Sequence, residues 1–202
     1  PELVDGDRSR EILTVLGSKL SLGSFAVSGF FVISGYLITG SLLNSKSLKL
    51  YMMKRVCRIY PAFVVAFFIS LLIVGPMGGG HFGDNLFRKL GNNIVGVAIL
   101  ARPTIDGAFE GQHHLDRFTA LNGAMWTIQY EFACYILVAL IGIAGGLRRP
   151  AATAVLALLF FTIAAFVPEE TLAPASHPKF FPGPPQALPN MVGTFLVGAT
   201  FY

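Results

Sequence analysis

From Ser24 to Leu43 the chain runs without one charged residue, and it does so again over Ile59–Val74, Ala151–Val167 and Leu188–Tyr202. A fifth apolar stretch, Ala124–Ala144, holds a single acid, Glu131. Nothing else in the sequence constrains the fold as strongly. An apolar helix needs about 20 residues to cross the hydrocarbon core. Within that core every backbone polar group must be satisfied internally. The expectation is an all-α, polytopic transmembrane helix bundle with about five spans. Asn93–Leu100 is too short to cross alone and is expected to lie at the interface or in a tilted helix. Composition agrees: 13% of residues are charged and the mean hydropathy is +0.64, against about 25% charged in a soluble domain. No internal repeat or separate soluble domain is visible, so residues 1–202 read as one partial membrane domain. The chain starts at Pro1 and ends inside an apolar run, so it is expected to be a piece of a longer protein.

The net charge of +4 first suggests an acidic partner, but the positions of the charges favour another reading. Residues 44–58, read as a loop, carry Lys46, Lys49, Lys54, Arg55 and Arg58, and the turn 145–150 carries Arg148 and Arg149. Neither contains an acid, and if spans alternate both lie on one side. Every acid except Glu131 falls on the opposite side, in the N-terminal stretch and in the loops around 76–123 and 168–187. Basic residues in short loops mark the cytoplasmic face, so loops 44–58 and 145–150 are expected inside. The basic balance is thus a topology signal, and no nucleic-acid partner is expected.

Glu131 is the most informative residue. A carboxylate in mid-span costs several kcal/mol unless paired or solvated, which makes it a functional candidate. Thr127, Glu131 and Tyr135 fall on one helical face. A partly desolvated glutamate suits a general acid, a general base or an orienting group; a purely structural partner of Trp126 or a tyrosine is the plainer alternative. Lys54–Pro61, KRVCRIYP, sets Arg55 and Arg58 three apart, on one face if helical. Guanidinium pairs grip phosphates bidentately, so this pair suits an anionic cofactor at the inner surface; anchoring to anionic lipid is the plainer alternative. Pro61 is expected in the first turn of its span. GPMGGG, 75–80, reads as a flexible connector. His81, His113, His114 and His177 lack metal-site spacing, and no metal is expected. Cys57 and Cys134 are not expected to pair. Small residues such as Ser34 and Gly35 point to close helix packing in 24–43.

Three segments in order carry a resemblance. SLGSFAVSGFFVISGYLITGS resembles the FFxxSGfLI segment of acyltransferase family 3, the integral-membrane O-acyltransferases. YMMKRVCRIYPAF is similar to the RxxRIxP stretch of that family, and MWTIQYEFACYIL to its WxLxxExxxY helix. The resemblance spans residues 21–137. It implies a bundle of about ten helices, of which this chain would supply roughly half. It further implies transfer of an acyl group, usually acetyl from acetyl-CoA or another acyl-CoA, to a hydroxyl of a polysaccharide or other envelope glycan. The setting it implies is the bilayer of a bacterial inner membrane. Arg55 and Arg58 match the arginine pair held to engage CoA, Glu131 the helix acid, Trp126 and Tyr135 the aromatic positions, and Ser34-Gly35 the packing motif.

The family also carries a histidine at the outer end of a first helix, and residues 1–23 contain no match. That histidine is expected upstream of Pro1, and the chain alone is expected to be inactive. A transporter or flippase of a glycan intermediate, or an inactive membrane scaffold, is the rival reading. A transporter should show inverted repeats and broken helices, and neither is visible in the sequence.

Overall fold

The computed structural model describes residues 22–81, 86–108, 121–122, 125–172 and 185–202. Its elements are α1 (Leu22–Leu43), α2 (Leu48–Met77), α3 (Leu86–Ala98), α4 (Trp126–Ile143), α5 (Pro150–Phe166), the short α6 (Glu169–Leu172) and α7 (Ala187–Thr200). No strand occurs among the described residues; the sole β-type contact there is an isolated bridge between His81 and Asp106. Helices α1, α2 and α4 are long and apolar enough to cross a membrane, and α5 and α7 are shorter apolar helices. The all-α membrane bundle expected from the sequence is the observed class.

The chain forms two compact units. One comprises α1, α5, Pro189–Tyr202 and α4 from Cys134 onward; the other comprises Lys46–Ala133 and Pro168–Leu188.

In the first unit the glycines of α1 find their purpose. A Cβ on Gly35 would overlap the carbonyl oxygen of Phe195 on α7, and a Cβ on Gly198 would overlap the carbonyl oxygen of Val32 on α1. Each helix therefore seats a carbonyl over a glycine of the other. Membrane helices associate by such close approach because lipid offers no hydrophobic driving force between them. Gly193 lies similarly against the Phe161 ring of α5, and Gly142 against Leu42. At the end of α1, Asn44 donates from Nδ2 to the Gly40 carbonyl at 2.8 Å and to the Tyr202 hydroxyl at 2.7 Å. α5 starts with Pro150 in its first turn, and Val167, preceding Pro168, is extended with ψ 126°, as a pre-proline residue prefers.

In the second unit α2 differs from expectation. The basic stretch is helical from Leu48, not a loop to Arg58, because Ser47 caps the helix by accepting from the Leu50 N–H at 3.2 Å. Tyr51, Arg55, Ile59, Phe63 and Phe67 then form one buried stripe at a four-residue interval. Pro61 consequently lies inside the helix, not in its first turn, and brings no N–H to the carbonyl of Cys57. The helix widens to one π-helical turn at Ser70–Val74.

The run GPMGGG also departs from expectation: it is a hydrogen-bonded helix stop rather than a flexible connector. Gly80 N–H donates to the Gly75 carbonyl at 2.9 Å, Gly79 N–H to Pro76 at 3.0 Å, and Gly79 has φ +84°. That left-handed residue with this pair of bonds is a Schellman cap, which explains a glycine there. α3 ends in the same way, but with Leu100 at φ 57° in the left-handed position. Ala101 N–H donates to Gly96 at 2.8 Å and Leu100 N–H to Val97 at 3.2 Å. Burial of Leu100 offsets a backbone cost of about 1–2 kcal/mol.

Of Asn93–Leu100, expected to lie at the interface or in a tilted helix, Asn93–Ala98 belongs to α3 while Ile99 and Leu100 form the turn after it, and α3 with the segment after it forms a hairpin. Gly96 lies near the Phe67 ring, and Tyr60 donates its hydroxyl to the Ala98 carbonyl at 2.7 Å. By Ile105 the chain is back against Gly75 and Gly80, and His81 N–H donates to the Asp106 carbonyl at 2.9 Å. α3 thus descends along α2 from its Met77 end towards Tyr60, and residues 101–106 climb back without helix. Non-helical backbone at membrane depth survives only where protein covers it or it lines a cavity. Here Ala101, Pro103 and Ile105 are buried, and the backbone of the return arm is bonded by side chains.

Candidate functional site

Within the second unit, α2 and α4 run antiparallel. Asn122, just before α4, has its Nδ2 3.5 Å from Ser70 Oγ, and further along α4 the Phe132 ring meets Tyr60 edge-on at 6.2 Å. Since Tyr60 follows Arg58 by two residues and Phe132 follows Glu131 directly, Arg58 lies within about one helical turn of the level of Glu131, and Arg55 about one turn further towards the basic end. The sequence alone offered no such proximity, because it set the arginines in a loop at the inner face and Glu131 within a separate span.

Arg55 is 8% exposed, on the buried stripe, with its guanidinium carbon 5.6 Å from the centroid of the Tyr51 ring. Arg58 is exposed. Glu131 is half-buried on α4. Trp126 packs edge-on against Tyr130 at 5.6 Å, near the start of the helix. Of the expected polar face, Thr127 and Glu131 belong to the second unit; Tyr135, fully buried, belongs to the first, where its ring lies 6.4 Å from Phe195. Ser34, buried, and Gly35 belong there too, in the helix-packing seam of α1. Cys57 is exposed and Cys134 buried, both free thiols. His81 is exposed at the end of α2, whereas His113, His114 and His177 lie outside the described residues.

Sequence reasoning missed Tyr60, Asn93, Arg102 and Gln129. Asn93 pairs with Thr104 twice, accepting from its N–H and donating to its carbonyl, each at 3.2 Å. Gln129, buried on α4, donates to the Ile99 carbonyl at 2.8 Å. With the Tyr60 bond, three helices therefore pin the tip and return arm of the hairpin. Arg102 sits on that arm, half-buried. One signal was available: Arg102 is the sole lysine or arginine between Lys89 and Arg117, set between Ala101 and Pro103. Gln129 and Asn93 carried no signal, because a lone amide in an apolar segment looks the same whether it bonds a loop or a neighbouring helix.

Chemically, the unit offers guanidinium groups for anionic oxygens and a half-buried carboxylate able to accept or orient a proton. Residues 3–202 match the family model described as an acyltransferase domain, acyltransferase family 3. An O-acetyl transferase of Shigella phage Sf6 is 32% identical over 121 residues, covering 58% of this chain and 34% of that protein, so the match spans about a third of the phage protein's length. No solved structure matches the chain. With nearly the whole chain inside the family model and three helices fit to cross a bilayer, this is an integral membrane protein belonging to acyltransferase family 3.

Proposed function

We propose that the protein is the membrane part of an O-acyltransferase that moves an acyl group, acetyl in the simplest case, from acyl-CoA to a hydroxyl of an envelope glycan. The reading is supported most by one observation: α2 brings Arg58 to within about one helical turn of the level at which α4 carries Glu131, in a chain of an acyltransferase family. Arg55 and Arg58 are assigned to the phosphates of CoA, whose charge and oxygens suit guanidinium groups. The thioester carbon is attacked by the acceptor oxygen, the C–S bond breaks as the C–O bond forms, and the hydroxyl proton ends on the departing thiol. Glu131 is assigned to orient or charge-stabilise that transfer. The membrane is assigned as a bacterial inner membrane, with the start of α2 and the turn 145–150 facing the cytoplasm. No metal takes part in this scheme.

The test is Glu131→Gln in the full-length protein, assayed for acyl transfer in membranes. Loss of at least about a hundredfold in kcat is expected, with unchanged expression and melting temperature. Undiminished transfer would remove Glu131 from the mechanism.

A further inference from the structure

We infer that the return arm of the hairpin is a binding rail for the hydroxyl-bearing acceptor, with Arg102, Thr104 and Asp106 as the side chains that hold it. The inference rests on the acceptor class assigned above and deepens it by giving that acceptor a place. Burial alternates along the arm: Ala101, Pro103 and Ile105 are buried, Arg102 is half-buried, and Thr104 and Asp106 are exposed. Pro103 bars a helix here and keeps Arg102 extended, and in extended chain successive side chains leave on opposite faces. The arm therefore packs an apolar edge against its unit and presents a polar edge, whose side chains follow one another at about 7 Å.

The course of the arm is fixed at both ends. Ala101 and the Phe67 ring both lie against Gly96, and Ile105 lies against Gly75 and Gly80. Phe67 to Gly75 measures about 12 Å along α2. Extended chain covers about 13 Å from Ala101 to Ile105, so the arm runs straight alongside the apolar part of the helix. Its backbone is occupied: Asn93 bonds both the N–H and the carbonyl of Thr104, and Asp106 accepts from the His81 N–H. The polar row thus begins about 10 Å from the level at which Tyr60 meets α4 beside Glu131. It ends at His81, beyond the end of α2 that lies away from the basic residues.

Non-helical backbone at membrane depth is either covered by protein or lines a water-filled cavity. The apolar edge meets the first condition, and the polar edge calls for the second. A guanidinium and a carboxylate are costly against lipid, and an apolar helix laid over them would have to desolvate both. Their opposite signs also narrow the ligand: Asp106 opposes a polyanion and Arg102 a polycation. A neutral ligand rich in hydroxyls, each able to donate and to accept, suits a row of cation, hydroxyl and anion. The row leads towards Glu131 from the face opposite to the one assigned to the donor, so acceptor and thioester would meet from two sides.

The experiment uses the full-length protein purified in detergent, with Thr104→Cys placed in a Cys57→Ser background so that the exposed native thiol does not compete. The probes are the charged thiol reagent methanethiosulfonate ethylsulfonate, acetyl-CoA, and envelope polysaccharide of the producing organism freed of esters by mild base. The Thr104→Cys protein is expected to take up reagent beyond its Cys57→Ser parent. The adduct is expected to raise KM for the polysaccharide about tenfold or more while KM for acetyl-CoA stays unchanged. No added reaction shows the polar edge covered and overturns the inference. An adduct that leaves KM for the polysaccharide unchanged, or raises both KM values alike, overturns it too, with the transferase reading left standing. Absence of transfer from acetyl-CoA to the polysaccharide by wild type overturns that reading first, and the inference with it. If Thr104→Cys does not stay folded, Asp106→Asn decides. A KM for the polysaccharide raised roughly threefold or more, with that for acetyl-CoA unchanged, supports the inference, and two unchanged values overturn it.

Discussion

Arg55 and Arg58 stand three residues apart on one helix, yet they occupy different surroundings. Arg55 lies against Tyr51 within the packed stripe of α2; Arg58 is open. Their alanine variants should therefore separate. Arg55→Ala removes a cation–π contact and leaves a gap, and is expected to cost about 1–2 kcal/mol of stability in addition to any effect on the donor. Arg58→Ala is expected to leave the melting temperature unchanged and to raise KM for acyl-CoA; a KM equal to wild type would return Arg58 to lipid anchoring. The spacing of the pair was visible in the sequence, but the difference between its members was not, because helical phase alone cannot tell which of two positions separated by about 60° faces protein. Glu131 was visible for a simpler reason, since an acid in an apolar span stands out. Arg102 is hidden by the same logic: it lies after α3, on what reads as an ordinary connecting loop.

At the scale of elements, the small residues of α1 were readable as a packing motif, while the partner helix was not. The reciprocal seating of Gly35 and Gly198 under backbone carbonyls leaves no flexible side chain to yield. Gly198→Ala and Gly35→Ala are each expected to destabilise by about 3 kcal/mol or more. Gly29, with nothing among the described residues within 4 Å of an added Cβ, provides the comparison. Gly29→Ala should be neutral or stabilising by up to about 1 kcal/mol. Thermal melting in detergent ranks the three, and equal melting temperatures would show that the α1–α7 seam is not a close approach. The start of α2 was misjudged because hydropathy locates where a helix meets lipid, not where it begins. Ser47 begins it three turns earlier, through a cap that hydropathy does not register. The run GPMGGG was misjudged because glycine supplies both flexible linkers and left-handed helix stops, and only the hydrogen bonds distinguish them.

For the whole molecule, class and family were legible from five apolar stretches and three short segments, since lipid permits so few architectures. The hairpin was not, because a segment that enters and leaves by the same side has no hydropathy signature of its own length. Sidedness rests on the distribution of lysine and arginine, and Cys57 offers a direct check. It is exposed on the basic part of α2, whereas Cys134 is buried. A membrane-impermeant maleimide is expected to label Cys57 only when the cytoplasmic face is open to it, with Cys134 silent; labelling in intact cells would invert the topology. The 30 residues of α2 carry a further consequence. At 1.5 Å per residue the helix measures about 45 Å, which matches a bilayer with its headgroups rather than the hydrocarbon alone. The 17 residues of α5 reach only about 25 Å. Thicker membranes should drag the arginines of α2 towards the acyl chains and strain α5, whereas thinner ones should be absorbed by tilt. Reconstituted in phosphatidylcholines of increasing chain length, the full-length protein should lose the proposed transfer activity as the bilayer thickens, which would make lipid length a control on that activity independent of any substrate.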